Sequence, residues 1–229
     1  MLAVTQLAGF GPGGIRPVDI TWRDESSDTT DTATYSFATQ DFGNPEGDRH
    51  IIVGVSGRAN LARTLTSVTI GGVAATHLAT ANDAGGGTDI AALYIAAVPA
   101  GSTGTVAVVF SDVMLRCAIM VWKMPGARNA TAFATQTDTT LTGSVYSVSI
   151  DVPANGAAVG MYWCGLSAGS ASVTWAGLTE DFDGTVETTA NGYAGARANF
   201  TAAQSGLTVS GTQAGTPATG GLAVASFGP

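Results

Sequence analysis

Alternation of apolar and polar residues, the pattern of half-buried β-strands, recurs along the chain. In "SVTIGG", Val68 and Ile70 fall on one face and Ser67 and Thr69 on the other, and the glycine pair predicts a tight hairpin turn. Seven candidate strands, some alternating and some apolar throughout, precede residue 126 and are separated by Gly-rich turns: Tyr35–Phe42, Ile51–Ser56, Ser67–Ile70, Ala74–Ala79, Ile90–Val98, Thr105–Ser111 and Arg116–Met124. The series predicts a β-sandwich, either immunoglobulin-like or jelly-roll-like.

The pattern returns in the second part of the chain. "SVTIGG" comes back as "SVTWAG" (residues 172–177), and other echoes keep their order on both sides of it. We align "HIIVGVSG" with "GAAVGMYWCG", which pairs Val53 with Val159 and Gly54 with Gly160. Loop insertions explain the drift in spacing between the echoes. The sequence therefore predicts an all-β protein with two tandem sandwiches, residues 32–126 and 127–229, preceded by an extended N-terminal arm, residues 1–31.

One predicted strand, "CAIMVWKM" (residues 117–124), is apolar on both faces. A strand of this kind is normally covered on both faces. We expect its outer face to pack on the second sandwich or on another subunit; the alternative is that Trp122 caps the edge of its own sandwich.

The predicted arm has three parts. "GFGPGG" is flexible by composition, "IRPVDITW" is apolar enough to dock, and "DESSDTTD" (residues 24–31) is expected to be a solvated acidic linker. Candidate assembly contacts in the arm are Phe10, Ile15, Arg16, Val18 and Trp22. The segment either becomes ordered on a neighbouring subunit or supplies a first strand that closes its own domain.

Composition supports the all-β prediction and narrows the function. Gly is frequent (31 residues), only 11 % of residues are charged, and Val, Thr, Ile and Ser dominate over the good helix formers. The net charge is −8 and no cluster of Lys and Arg occurs, which argues against binding of nucleic acid or of an anionic membrane surface. The longest apolar run, Ile90–Ala100, is too short to span a bilayer, so no membrane insertion is expected.

No catalytic, cofactor or metal site is predicted. The two histidines lack zinc-ligand spacing to the two cysteines, which are predicted to be buried thiols, and no G-x-S-x-G motif occurs. The acidic cluster "EDFD" (residues 180–183) is expected on a solvated turn, with a calcium site as the alternative. Trp163, Trp175 and Tyr193, near predicted strand ends, either belong to the core or offer exposed faces to a sugar.

Four stretches of the first 126 residues resemble small virion proteins of tailed bacteriophages and gene transfer agents. They are "VTQLAGFGPGG", "GDRHIIVGVSG", "SVTIGGVAATHLAT" and "VPAGSTGTVAVVFS". The resembling pattern has an Arg-x-Ile-x-Val strand at Arg49–Val53, a V-T-I-G-G hairpin at Val68–Gly72 and a V-P-x-G-x-T-x-x-V turn at Val98–Val106. The second copy departs from it, with no proline at Thr201 and no basic residue before Ala157.

The resemblance implies a non-enzymatic virion protein, assembled in the bacterial host cytoplasm, that acts as head decoration, spike or tail-associated module. Its expected partners are capsid, portal-side or tail subunits and further copies of itself. The first alternative is a carbohydrate-binding adhesion module that recognises host surface polysaccharide. The second is a hydrolase of unrecognised type, for which the sequence shows no catalytic residues.

Overall fold

The protein is described from a computed structural model, for residues 16–83, 88–125, 131–140, 144–168, 172–187 and 191–229. Strands account for 73 % of the structure, and the described residues contain no helix, so the all-β prediction is confirmed. The hairpin at "IGG" is also confirmed, because Ile70 pairs with Val73 and both Gly71 and Gly72 have positive φ angles.

The described residues form seventeen strands. They are β1 (Thr21–Asp28), β2 (Thr32–Asp41), β3 (His50–Ala59), β4 (Leu65–Ile70), β5 (Val73–Ala74), β6 (Thr76–Asp83), β7 (Thr88–Ala97), β8 (Thr103–Met114), β9 (Arg116–Met124), β10 (Ala134–Asp138), β11 (Val145–Val152), β12 (Ala157–Ala168), β13 (Val173–Ala176), β14 (Thr179–Glu187), β15 (Asn191–Asn199), β16 (Gln204–Gln213) and β17 (Thr216–Phe227). Each of the seven candidate strands predicted from the sequence overlaps an observed strand.

Strand pairing in the first half, residues 16–125, is nested. β1 pairs with β9, β2 with β8, β3 with β7 and β4 with β5, all antiparallel. The second half, residues 131–229, pairs β10 with β17, β11 with β16 and β12 with β15. Nested pairs arise when a long hairpin is rolled into two sheets, which is the jelly-roll arrangement rather than the immunoglobulin one.

The four sheets stack in four layers. Outer sheet one has the order β2-β8-β4-β5, inner sheet one β1-β9-β3-β7-β6, inner sheet two β10-β17-β12-β15-β14 and outer sheet two β11-β16-β13. One hydrophobic core lies within each half, and a third, here called the central seam, lies between the two inner sheets. Trp122 is fully buried in the central seam, so the second half covers the strand that is apolar on both faces.

Part of the predicted arm belongs to the fold. Residues 21–28 form β1, which pairs with β9 along most of its length. The acidic run predicted as a solvated linker is therefore mainly an edge strand. Sequence alternation missed it because none of its eight residues is fully buried and seven of them are polar, so the two faces do not differ in hydrophobicity. By strand order β1 corresponds to β10, so the first half includes residues 21–28, which precede the predicted boundary at residue 32.

The predicted pairing of Val53 with Val159 is wrong by one residue. Val53 faces the core of the first half, whereas Val159 faces the central seam. Equivalent backbone bonds, from Val98 N to Arg49 O and from Phe200 N to Gly156 O, set the correct register. Since side chains alternate along a strand, a shift of one residue exchanges the two faces.

Candidate interaction surfaces

Three of the candidate arm contacts are described, and they bind the chain's own fold. Val18 is buried in the central seam, and its backbone N–H donates to Asn155 O of the second half. Trp22 is half buried and stacks on Phe182, with ring centroids 6.4 Å apart. Arg16 is exposed and pairs with Glu46 and Asp48 at 3.1 and 2.7 Å. Val18 is therefore not available to a neighbouring subunit, whereas Trp22 and Arg16 keep part of their surface exposed.

Two candidate assembly contacts, Phe10 and Ile15, lie outside the described residues.

The aromatic residues proposed for sugar contact lie inside the protein. Trp163 is fully buried and its indole Nε1 donates to Asp89 Oδ1 at 2.9 Å. Tyr193 is 2 % exposed and its hydroxyl donates to a Glu25 carboxylate oxygen. Trp175 is half buried and meets the ring of Tyr162 edge-on. Trp163 and Tyr193 offer no ring face to a sugar, which corrects that prediction for these two residues.

Two buried carboxylates hold the central seam together. Asp89 of the first half accepts from Trp163, and Asp181 of the second half accepts from the Nε1 of Trp122 at 2.8 Å. Burial raises the pKa of both carboxyls, while the hydrogen bonds from the indoles and the charges of Arg58 and Arg197 oppose that rise. Asp181 belongs to "EDFD", which lies in strand β14 and not on the predicted turn.

Two glycines allow the inner sheets to approach each other. A Cβ at Gly54 would lie 2.6 Å from Met161 Sδ across the seam. A Cβ at Gly195 would lie 2.5 Å from Met120 Sδ and 2.6 Å from Trp122 Cζ2. Large side chains of one half thus occupy the space that a glycine leaves in the other. A glycine within a strand is the sequence signal that could have located both positions.

Arg49 organises one end of the first half. It is 1 % exposed, and its guanidinium donates to five backbone carbonyls. The acceptors are the oxygens of Val98, Phe42, Gly43, Ala100 and Gly101. The bonds fix the β2–β3 and β7–β8 loops to each other, so the role of this arginine is structural.

A cleft of about 570 Å³ opens beside these loops. Its lining includes the buried side chains of Phe42 and Val98. Four glycines also line it, namely Gly71, Gly72, Gly101 and Gly104. The rim carries the hydroxyls of Thr103 and Thr105, and no charged side chain lines it. We call this the glycine-lined cleft.

The strands of the two outer sheets are almost without charge. Only Asp41, Asp112 and Asp151 are charged among all their residues, and each lies near a strand end. Their solvent-facing positions are mostly Ser, Thr and Ala, as in Ser36 of β2 and Ser149 of β11. These three acids contribute −3 of the net charge of −8, and the rest of the chain carries the remaining −5 and all nine basic residues.

Other chemistry-bearing residues are structural or isolated. Cys117 and Cys164 are free and buried, which confirms the buried-thiol prediction, and burial raises the pKa of Cys164 to about 12. His50 is buried in β3 and His77 is exposed in β6. Within the described ranges, no group of three His, Cys, Asp or Glu residues could hold a metal ion. In that same part of the chain, no helix is long and apolar enough to cross a membrane.

Comparison with protein-family models, curated proteins and solved structures gave no match.

Proposed function

We propose that this protein is a structural component of a tailed-phage virion or phage-like particle, held in place by contacts of its outer sheets with neighbouring protein subunits. The observation that carries the proposal is the nearly uncharged, hydroxyl-bearing surface on both outer sheets. Such a face can be covered by another protein without burying an unpaired charge, which costs several kcal/mol.

The buried charged groups support a scaffold role. Arg49 fixes two loops, and Asp89 and Asp181 each receive an indole N–H across the central seam. These hydrogen bonds tie the loops and the two halves into one four-layer body with two similar outer faces. A rigid body of this kind loses little conformational entropy when it is fixed in an assembly.

Purified particles from cells that encode the chain test the proposal. We expect the protein to co-sediment with the particles at a constant ratio to the major capsid protein, and imaging to place an outer sheet against a neighbouring subunit. Ser36→Lys and Ser149→Lys, one on each outer face, should lower incorporation while leaving the melting temperature unchanged. Thr201→Lys, in an exposed loop, is the matched control. Absence from the particles, or normal incorporation of the double variant, would contradict the proposal.

A further inference from the structure

We propose that the glycine-lined cleft binds the N-terminal segment of the same chain, with Phe10 as the side chain that enters it. The cleft lies in the first half, beside the loops that Arg49 fixes. The proposal is independent of where the protein assembles.

The position of Arg16, the first described residue, supports the N-terminal segment as the occupant of the cleft. Arg16 is held by Glu46 and Asp48. Asp48 directly precedes Arg49, whose guanidinium donates to the carbonyls of Ala100 and Gly101 in the cleft wall. Phe10 lies six positions before Arg16, and a chain of six residues reaches about 20 Å when extended. The ion pairs thus leave the segment within reach of the cleft.

The N-terminal segment and the lining of the glycine-lined cleft also match in chemical character. Residues 1–15, "MLAVTQLAGFGPGGI", contain no charged side chain, although the whole chain carries 26 such residues as 17 acidic and 9 basic ones. The cleft lining is likewise uncharged, and the ring of Phe42 lies next to its glycines: a Cβ at Gly104 would lie 2.4 Å from Phe42 Cε2. An aromatic side chain flanked by glycines suits a wall of glycines, because both backbones can approach closely.

Docking within one chain is favoured over exchange between copies. A short tether to the fold gives a segment an effective concentration in the millimolar range, which exceeds the concentration of a second copy in dilute solution. Exchange between copies would make the docking depend on protein concentration.

Amide NMR spectra of the full chain test the inference. We expect Phe10→Ala to shift the amide signals of Gly71, Gly72, Gly101 and Gly104, and we expect the wild-type spectrum to be independent of concentration. Phe133→Ala removes an exposed phenylalanine outside the cleft lining and is the matched control. Equal spectra for wild type and Phe10→Ala would overturn the inference, and so would a concentration-dependent wild-type spectrum.

A peptide of residues 1–15 gives a second readout. It should bind the full-length Phe10→Ala chain, whose cleft is vacated, and it should not bind the wild-type chain. Thr105→Glu in the Phe10→Ala background places a charge in the cleft and should weaken peptide binding by about tenfold or more. Thr34→Glu, an exposed residue of β2 outside the cleft, should leave it unchanged. Equal binding to wild type and to Phe10→Ala would overturn the inference. Neither readout involves particles, so failure here leaves the virion proposal standing.

Discussion

At the scale of single residues, the buried charged side chains show which structural roles can be predicted from the sequence and which cannot. Arg49 is recognisable in an Arg-x-Ile-x-Val strand, but the five carbonyls it binds come from two separate loops. Asp89 and Asp181 look like surface acids in the sequence because their indole partners lie in the other half of the chain. Trp163 was ambiguous for the same reason: its burial depends on a sheet packed from more than 70 residues away.

Replacement of Arg49 should destabilise the fold strongly. In Arg49→Lys, one ammonium cannot reach all five carbonyls, and the remaining acceptors stay buried without donors. We expect a loss of about 2–4 kcal/mol in the free energy of unfolding, measured by urea denaturation. Arg16→Lys, which alters an exposed ion pair, should cost less than about 1 kcal/mol. Equal effects of the two substitutions would contradict the structural role of Arg49.

Asp89 should make stability depend on pH. Its pKa is raised in the folded protein by burial. The folded state therefore binds the proton more tightly than the unfolded chain, whose Asp titrates near 4. Stability falls as pH rises through the interval between the two pKa values.

Asp89→Asn removes this titration. The amide oxygen still accepts from Trp163, and its NH₂ can donate to the Thr219 hydroxyl. We expect the variant to melt a few degrees above wild type at pH 7, with the difference shrinking as pH falls toward 4. Thermal melts of both proteins across this range measure the difference. If the difference in melting temperature widened at low pH, the pKa of Asp89 would be lowered by folding and not raised.

At the scale of elements, apolar segments between Gly-rich turns predicted the strands of residues 32–126 but not their pairing partners. β1 escaped detection because its sequence, "TWRDESSD", does not alternate and its stability comes from pairing with β9. The misaligned copy of β3 shows a second limit. Both "VG" steps look alike in the sequence, and only the hydrogen-bonding register shows that they face different cores.

The close approach of β9 and β15 should be sensitive to a single methyl group. In Gly195→Ala the added Cβ meets the Trp122 ring, which its bond to Asp181 holds in place. We expect a loss of about 1–3 kcal/mol in chemical denaturation. Gly54→Ala should cost less, because the end of Met161 can move away. Gly47→Ala, with open space around its Cβ, is the neutral control. An unchanged free energy of unfolding in Gly195→Ala would contradict the close contact between Gly195 and Trp122.

At the scale of the whole molecule, the central seam joins the two halves into one body. It buries Ile52, Leu93 and Met120 of the first half against Val159 and Phe227 of the second. No sequence pattern could specify this contact, because two-sided apolar strands fit either a second domain or a second subunit equally well. Across the seam, the first-half strand "CAIMVWKM" is covered by β14 and β15, and the second-half strand "AAVGMYWCG" by β3 and β7.

The shared core should make unfolding cooperative. We expect thermal unfolding followed by tryptophan fluorescence and by far-ultraviolet circular dichroism to give one coincident transition, since Trp122 and Trp163 both lie in the seam. Two separated transitions would show that the halves are stable without each other.

Two N-terminal deletions should differ in their effect on stability, because the fold needs only part of the first 31 residues. Residues 1–15 lie outside the described structure, whereas Val18 and Ile20 are buried in the seam and β1 covers the edge of β9. Deletion of residues 1–15 should therefore keep the cooperative melt, while deletion of residues 1–31 exposes β9 and part of the seam and should yield unfolded or aggregated protein. Circular dichroism melts and size-exclusion chromatography of the two deletions compare them directly. A stable monomer lacking residues 1–31 would show that the fold does not need β1. The first 31 residues would then act as the extended arm that the sequence predicted.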